Sequence, residues 1–275
     1  MVDSVVATAA EVDGTEPIDE AARMSLAHRG VDGNALWLAD GGFALLRGHD
    51  LDVAVAPGAR GRGEGRALVA AALEEAPADV TAWSHADHPA AAALARRFGF
   101  ARERELWVMR RPMSVALPEG VVAIVPDEVV VRGYTSADAE EVLRVNAAAF
   151  AAHPEQGSMD AVNLAERMAE PWFDPAGLLL AEDASSPGRL LGFHWTKQHS
   201  AELGEVYVVG IDPAAQGRGL GKLVTLAGLR HLADRGVDEV LLYVESDNRP
   251  AIAVYSGLGF THHPADTHVM YERRG

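Results

Sequence analysis

A carboxylate, a glycine-rich turn and a phenol stand in order in the last third of the chain. Glu205 lies in the apolar run "GEVYVVGID", the turn "QGRGLGKL" follows at residues 216–223, and Tyr255 sits within "NRPAIAVYSGLGF". A carboxylate can accept a proton and a phenol can give one up. Glycines let backbone N–H groups close on an anion with no Cβ in the way, and a helix starting just beyond adds its positive end. The trio therefore suits a reaction on a phosphate-bearing molecule in which one proton is taken and another supplied.

Spacing decides which phosphate. The P-loop needs four residues between its first glycine and a Gly-Lys-Ser/Thr run, because the hydroxyl holds magnesium. Here three residues separate Gly217 from Gly221, and Leu223 follows Lys222, so the metal ligand is missing. That disfavours a nucleotide hydrolase. The dinucleotide fingerprint needs Gly-x-Gly-x-x-Gly after a parallel strand, whereas this turn reads Gly-x-Gly-x-Gly. Residues 216–221 fit a third pattern, Gln/Arg-x-x-Gly-x-Gly/Ala. It resembles the acyl-CoA loop of the GNAT acetyltransferase superfamily.

The elements that must hold these residues are written twice. "APGARGRGEGRALVAAALEEA" begins at Ala56 and "DPAAQGRGLGKLVTLAGLRHLADRG" at Asp212. Each has a proline, small residues and alternating glycines, and runs into a helix-period apolar pattern. Further on, "WSHADHPAAAALARRFGF" (83–100) echoes "YVESDNRPAIAVYSGLGF" (243–260), and each is followed by a strand, "ELWVMRRP" and "HVMYERR". The shared order implies two halves of one kind. The proline-punctuated "RPMSVALPEGVVAIVPDE" is the natural link. We expect an N-terminal domain over 1–112, a linker over 113–127 and a C-terminal domain over 128–275. The second half reads as strand "VVVRGY", helix "SADAEEVLRVNAAAF", a helical piece around "MDAVNLAERMAE", then strands "GLLLAED", "RLLGFHWTKQ" and "LGEVYVVGID". The glycine turn, a long helix, strand "VDEVLLYVES" and a short helix precede the last strand. This order predicts an α+β fold, a mixed, mostly antiparallel sheet flanked by helices, in two tandem domains. The first half shows no clear second strand pair.

Composition sets outer limits. The chain of 275 residues has no cysteine, so it carries no disulfide framework, thiolate metal site or cysteine nucleophile. We expect no metal. A net charge of −16 argues against nucleic acid as a partner. The acidic start "MVDSVVATAAEVDGTEP" does not read as a signal peptide, and no apolar run reaches the roughly 18–20 residues of a membrane span. We expect a monomeric cytoplasmic protein.

A GNAT enzyme aminolyses a thioester. The amine must lose a proton, the carbonyl oxygen needs donors, and the leaving thiolate needs a proton. Alternation along the strand puts Glu205, Tyr207, Val209 and Ile211 on one face. The resemblance implies that this strand splays from its neighbour and that N–H groups at Val209 and Ile211, with Gly210 between them, bind the acetyl carbonyl. Glu205 would take the amine proton. Tyr255, in a stretch similar to the superfamily's N-x-x-A-x-x-x-Y-x-x-x-G-F signature, would protonate the CoA sulfur. Acetyl-CoA, the acetyl donor, would be held by Gln216, Gly217, Arg218, Gly219, Leu220, Gly221 and Lys222. Its pantetheine arm would meet Asn248, Arg249, Pro250, Ala251, Ile252 and Ala253. In the first half the same register gives Val53, Ala54 and Val55, then Arg60, Gly61, Arg62, Gly63, Glu64, Gly65 and Arg66. There His49 falls where Glu205 stands and Ala95 where Tyr255 stands. Alanine cannot donate a proton, and Glu64 brings a negative charge to the anion. The first half is read as a degenerate, non-catalytic copy.

Longer stretches narrow the family. "LRVNAAAFAAHPEQG", "AEPWFDPAGLLLAE", "GRLLGFHWTKQH", "GEVYVVGIDPAAQGRGLG" and "LLYVESDN" cover most of residues 142–260. They resemble the mycothiol synthase family of tandem GNAT acetyltransferases. In the first half "EVDGTEPIDE" and the glycine loop carry the likeness. That family acetylates the cysteinyl amine of cysteinyl-glucosaminyl-inositol. By resemblance Glu20, Glu155, Lys197, Glu205 and Tyr243 would contact this small-molecule amine. Carboxylates suit a cationic amine and hydroxyl-rich rings, and a lysine can donate to sugar oxygens. Two alternatives stay open: another primary amine (an aminoglycoside, a polyamine or a protein N-terminus), or an acyl-CoA sensor without catalysis.

Overall fold

Short apolar runs separated by two-residue turns begin the sheet of a first unit, which comprises Met1–Trp107 and His263–Gly275. The computed structural model describes residues 1–117, 128–151 and 156–275. Two helices, α1 (Val2–Asp13) and α2 (Glu20–Arg29), lead into an antiparallel meander of β1 (Ala35–Ala39), β2 (Gly42–Arg47) and β3 (Asp50–Val55). Its turns use Asp40-Gly41 and Gly48-His49, dipeptides of the kind that close tight hairpins. Helix α3 (Glu64–Glu75) then returns the chain to β4 (Val80–Ser84), parallel to β3. Helix α4 (Pro89–Phe98) and β5 (Ala101–Pro112) follow. Both faces of β2 are buried. Phe43 and Leu45 pack with Val5 and Ala22 of the leading helices, and Ala44 and Leu46 pack with Leu68 and Ala72 of α3.

The second unit is Val108–His262. Strand β6 (Val129–Gly133) precedes α5 (Ala139–Ala149) and α6 (Ala161–Met168), and an antiparallel ladder follows: β7 (Leu178–Asp183), β8 (Leu190–Gln198) and β9 (Leu203–Ile211). Helix α7 (Leu220–Asp234) crosses to β10 (Glu239–Glu245), which lies parallel to β9; α8 (Arg249–Gly257) and β11 (Thr261–Arg273) end the order. On one face Val142 and Val145 of α5 and Leu164 of α6 pack with Leu178, Leu180, Phe193 and Trp195. On the other, α7 approaches β8 so closely that a Cβ at Gly228 would meet the His194 ring at 2.1 Å. His194 Nδ1 bonds the Val224 carbonyl at 3.0 Å, and burial pushes the His194 pKa down to about 4.

The start of α5 is pinned by charge. Asp138 accepts two hydrogen bonds from the Arg132 guanidinium of β6, at 2.7 and 2.8 Å, and one from the Thr135 N–H at 2.8 Å. These donors, Arg132 first, hold the Asp138 carboxyl well below the usual carboxylate range.

Each unit is thus α+β, a mostly antiparallel sheet with helices on it, as expected. Two features were not foreseen. The first unit does have a further strand pair, the hairpins of β1, β2 and β3. The division into compact units also falls inside β5, between Trp107 and Val108, and most of the expected linker, 113–127, lies outside the described residues. The far end of β11 pairs with β4, from Val269↔Ser84 to Arg273↔Val80, which places His263–Gly275 with the first unit.

Candidate active site

The glycine turns are the same turn made twice. In the second unit a 3-10 turn, Pro213–Ala215, leads to Gln216 at φ −63°, ψ 161°, with Gly217 at φ +76° and Gly219 at φ +78°. In the first unit Pro57–Ala59 leads to Arg60 at φ −63°, ψ 157°, with Gly61 at φ +76° and Gly63 at φ +89°. Two left-handed residues in alternation need glycine, and they curl consecutive N–H groups toward one point. The helices begin one residue earlier than their third glycines, at Leu220 and Glu64, and neither helix start is capped by a side chain. Their first N–H groups are suited to an anion. Arg218 and Lys222 are exposed beside the second turn. Asp212 anchors that turn by accepting from Ala214 N–H at 2.9 Å and from Arg144 at 2.7 Å.

Strand β9 carries the carboxylate. Its register on β8 shifts so that Trp195 faces Val208 while Thr196 faces Val206, which makes Tyr207 an extra, bulged residue. The bulge inverts the alternation of faces. Glu205 lies opposite Lys197 on the side of Trp195, and Val208 joins that side. Val209 lies opposite His194, on the side of α7. The expectation that Glu205, Tyr207, Val209 and Ile211 share one face is corrected by this single inserted residue.

The backbone of β9 is placed differently from its side chains. Asp212 N–H donates to the Leu191 carbonyl at 2.9 Å. Antiparallel alternation then turns the N–H groups of Val208 and Gly210 toward β8 and those of Val209 and Ile211 toward the other edge. On that edge the ladder with β10 runs from Leu203↔Glu239 to Val206↔Leu242 and ends there. The N–H groups of Val209 and Ile211 therefore point along the stretch of β9 past its pairing with β10. Tyr243, 44% exposed, is the first β10 residue past the last pair.

Glu205 and Lys197 are each only 5% exposed. The Lys197 ammonium lies 4.7 Å from the Trp172 ring centroid and 5.2 Å from that of Tyr207. Trp172 packs edge-on to Tyr207 at 5.0 Å, and the Arg167 guanidinium contacts the Tyr207 hydroxyl and lies 5.4 Å from its ring. Glu205 Oε2 is 2.6 Å from His199 Nε2. A buried carboxylate, a buried ammonium and an aromatic wall thus meet in one place. Tyr255 is half-buried on α8, edge-on to Phe260 at 6.0 Å, and burial pushes its phenol up to about 12. Asn248 caps α8 by accepting from Ala251 N–H at 3.2 Å, and Arg249 and Pro250 are exposed at the helix start. Glu20 opens α2 in the first unit, and Glu155 lies outside the described residues. Sequence reasoning missed His199, Trp172 and Arg167. Only the invitation of three polar or aromatic residues near a carboxylate strand could have flagged them.

The first unit holds a cleft of about 460 Å³ around its own turn. Val53, Ala54, Val55, Arg60, Gly61, Gly63, Glu64, Gly65 and Arg66 line it; of the residues expected there, Arg62 does not. At the positions that match Glu205 and Tyr255 this unit has His49 and Ala95. Ala95 is buried on α4, and His49 sits at the β2–β3 turn with Nδ1 2.8 Å from the Asp79 carbonyl. Glu64 accepts from Gly41 N–H at 3.0 Å, and Arg60 is engaged with Asp13 at 2.6 and 2.7 Å.

These features have counterparts in known proteins. A model of the acetyltransferase (GNAT) family matches residues 33–100 and 142–260, one stretch in each half. A tandem GNAT protein from the clavulanic acid biosynthesis pathway shares the fold with a TM-score of 0.71 at 22% identity, covering 98% of this chain and 92% of that one. A GCN5-related N-acetyltransferase from Sphaerobacter thermophilus does so with a TM-score of 0.67 at 22% identity, covering 98% and 90%. The chain belongs to the acetyltransferase (GNAT) family, enzymes that transfer an acetyl group from acetyl-CoA to an amine. Within it the relatives are more specific. The mycothiol acetyltransferase of a Nocardioides species is 63% identical over 98% of this chain and 95% of its own length. That of Nocardia farcinica is 50% identical over 100% and 93%. It is to the mycothiol acetyltransferases that the chain belongs.

Proposed function

We propose that the second unit acetylates the cysteinyl amine of cysteinyl-glucosaminyl-inositol, with acetyl-CoA as donor, to form mycothiol. The observation that carries the acceptor is the 63% identity to a named mycothiol acetyltransferase across nearly both full lengths. The site's chemistry agrees. A buried carboxylate beside a buried ammonium and an aromatic wall suits a cationic amine carried on hydroxyl-rich rings.

In this reading the pyrophosphate of acetyl-CoA rests on residues 216–222, where two left-handed glycines and an uncapped helix start aim N–H groups at an anion. Asn248, Arg249, Pro250, Ala251, Ile252 and Ala253 flank the pantetheine arm. The N–H groups of Val209 and Ile211 donate to the thioester carbonyl as negative charge builds on its oxygen. Glu205 takes a proton from the ammonium form of the acceptor. The freed amine forms the C–N bond, the nitrogen gives up its second proton as the C–S bond breaks, and Tyr255 gives its proton to the departing sulfur and is reprotonated by the one the nitrogen releases. Lys197 and Tyr243 contact the acceptor, with Glu20 and Glu155 as further contacts. The first unit is proposed as a non-catalytic CoA site, because its turn repeats the backbone angles of the second while His49 and Ala95 replace the base and the acid. We further propose a monomer in the cytoplasm.

The test is direct. Purified protein given acetyl-CoA and the cysteinyl pseudodisaccharide should release CoA far above the hydrolysis background. Release only with some other amine would transfer the reading to that acceptor, and no release with any amine would end it.

A further inference from the structure

We infer that His199 is a positioning residue for acetyl transfer: its ring holds the Glu205 carboxylate in one orientation, so that one oxygen is left for the incoming amine. The inference rests on the reading of Glu205 as the base. It begins with burial. The Glu205 side chain is 7% exposed, so few water molecules can reach its carboxylate to orient it, and a buried polar group is oriented by its protein partners instead. His199 Nε2 stands 2.6 Å from Oε2, the distance of a charge-assisted hydrogen bond. With Oε2 so engaged, Oε1 is the oxygen left for the acceptor.

The backbone fixes this pairing. His199 directly follows β8, and its N–H donates to the Leu203 carbonyl at 2.9 Å, closing the hairpin between β8 and β9. The Ser200 hydroxyl receives the N–H groups of Glu202 and Leu203, each at 3.1 Å. The turn is therefore tied at both ends, and the imidazole is carried to a carboxylate only six residues away in sequence. Lys197, in register with Glu205 on the neighbouring strand, lies over the aromatic rings. Glu205 thus has Lys197 opposite it on β8 and, at Oε2, a histidine whose side chain, 34% exposed, reaches the solvent boundary.

A double-mutant cycle tests it, with CoA release as the assay. His199→Ala should lower kcat roughly ten- to a hundred-fold, leave KM for acetyl-CoA within about two-fold, and regain activity when imidazole is added to the buffer. His199→Gln keeps an N–H donor and should retain more activity than His199→Ala. Combining His199→Ala with Glu205→Gln should cost no more than Glu205→Gln alone. Near-parental kcat for a folded His199→Ala, with Glu205→Gln inactive, overturns the inference and leaves the base reading standing. So do losses that simply multiply in the double variant, or equal loss in His199→Ala and His199→Gln without imidazole rescue. Parental activity in Glu205→Gln removes the base reading itself, and this inference with it.

Discussion

In the proposed reaction Glu205 accepts a proton from a nearly dry position, and Tyr255 keeps its own until a thiolate needs it. Glu205→Gln preserves the shape of the side chain and removes its basicity. It should lower kcat by roughly 10²–10⁴-fold, with KM for acetyl-CoA little changed because the glycine turn is untouched. Tyr255 is set in the opposite sense. Burial disfavours the phenolate and pushes the pKa up to about 12, so the phenol remains protonated across the ordinary range of assay. The parent should therefore show no fall in kcat from loss of this proton below about pH 11. Tyr255→Phe should slow kcat by about ten-fold or more at every pH without removing a basic limb. A limb near the ordinary tyrosine value that disappears in Tyr255→Phe would show that the phenol is not held protonated in this way.

At the scale of elements, α5 supports the face on which Trp195 packs, and Asp138 holds its start. The Asp138 pKa is lowered in the folded protein, so its contribution to stability is complete above the unfolded value near 4 and is lost as pH falls through the folded one. Asp138→Asn should cost about 1–3 kcal/mol at pH 7, and the gap to the parent should close below about pH 4, read by thermal melts across pH. Much at this scale could be read from the residues. Period-two and period-3.6 patterns located the strands and helices of the second half, and the glycine spacing located both turns. The hairpins of the first half went unread although Asp40-Gly41 is a strong turn signal, because the strands it joins are short. The bulge at Tyr207 left no mark in the residue pattern, since an extra residue is defined only against the partner strand. For the same reason Glu205, Tyr255 and the turn were legible as types at a spacing, whereas His199 and Trp172 became part of the site only through pairing and packing.

At the scale of the whole molecule, order along the chain and membership of a unit part company. The pattern in "HVMYERR" announces a strand but not its partner, because a strand's edge-to-edge choice depends on residues far away. One of its partners is β4, some 190 residues earlier, through the pairing of Val269 with Ser84. Removing His263–Gly275 should therefore be felt in the first unit. Amide exchange at Val80, Ala82 and Ser84 should speed up, and protease should reach β4 sooner. Unchanged protection there would mean that β4 does not need this neighbour. The same pairing has a consequence during synthesis. At about 5–20 residues per second, a ribosome needs roughly 8–30 seconds after finishing residue 107 before it has made the strand that β4 is waiting for. The half of the protein that is translated first is thus the last to be finished. For that interval an apolar strand edge stands unpaired in a crowded cell, within reach of chaperones and of other nascent chains.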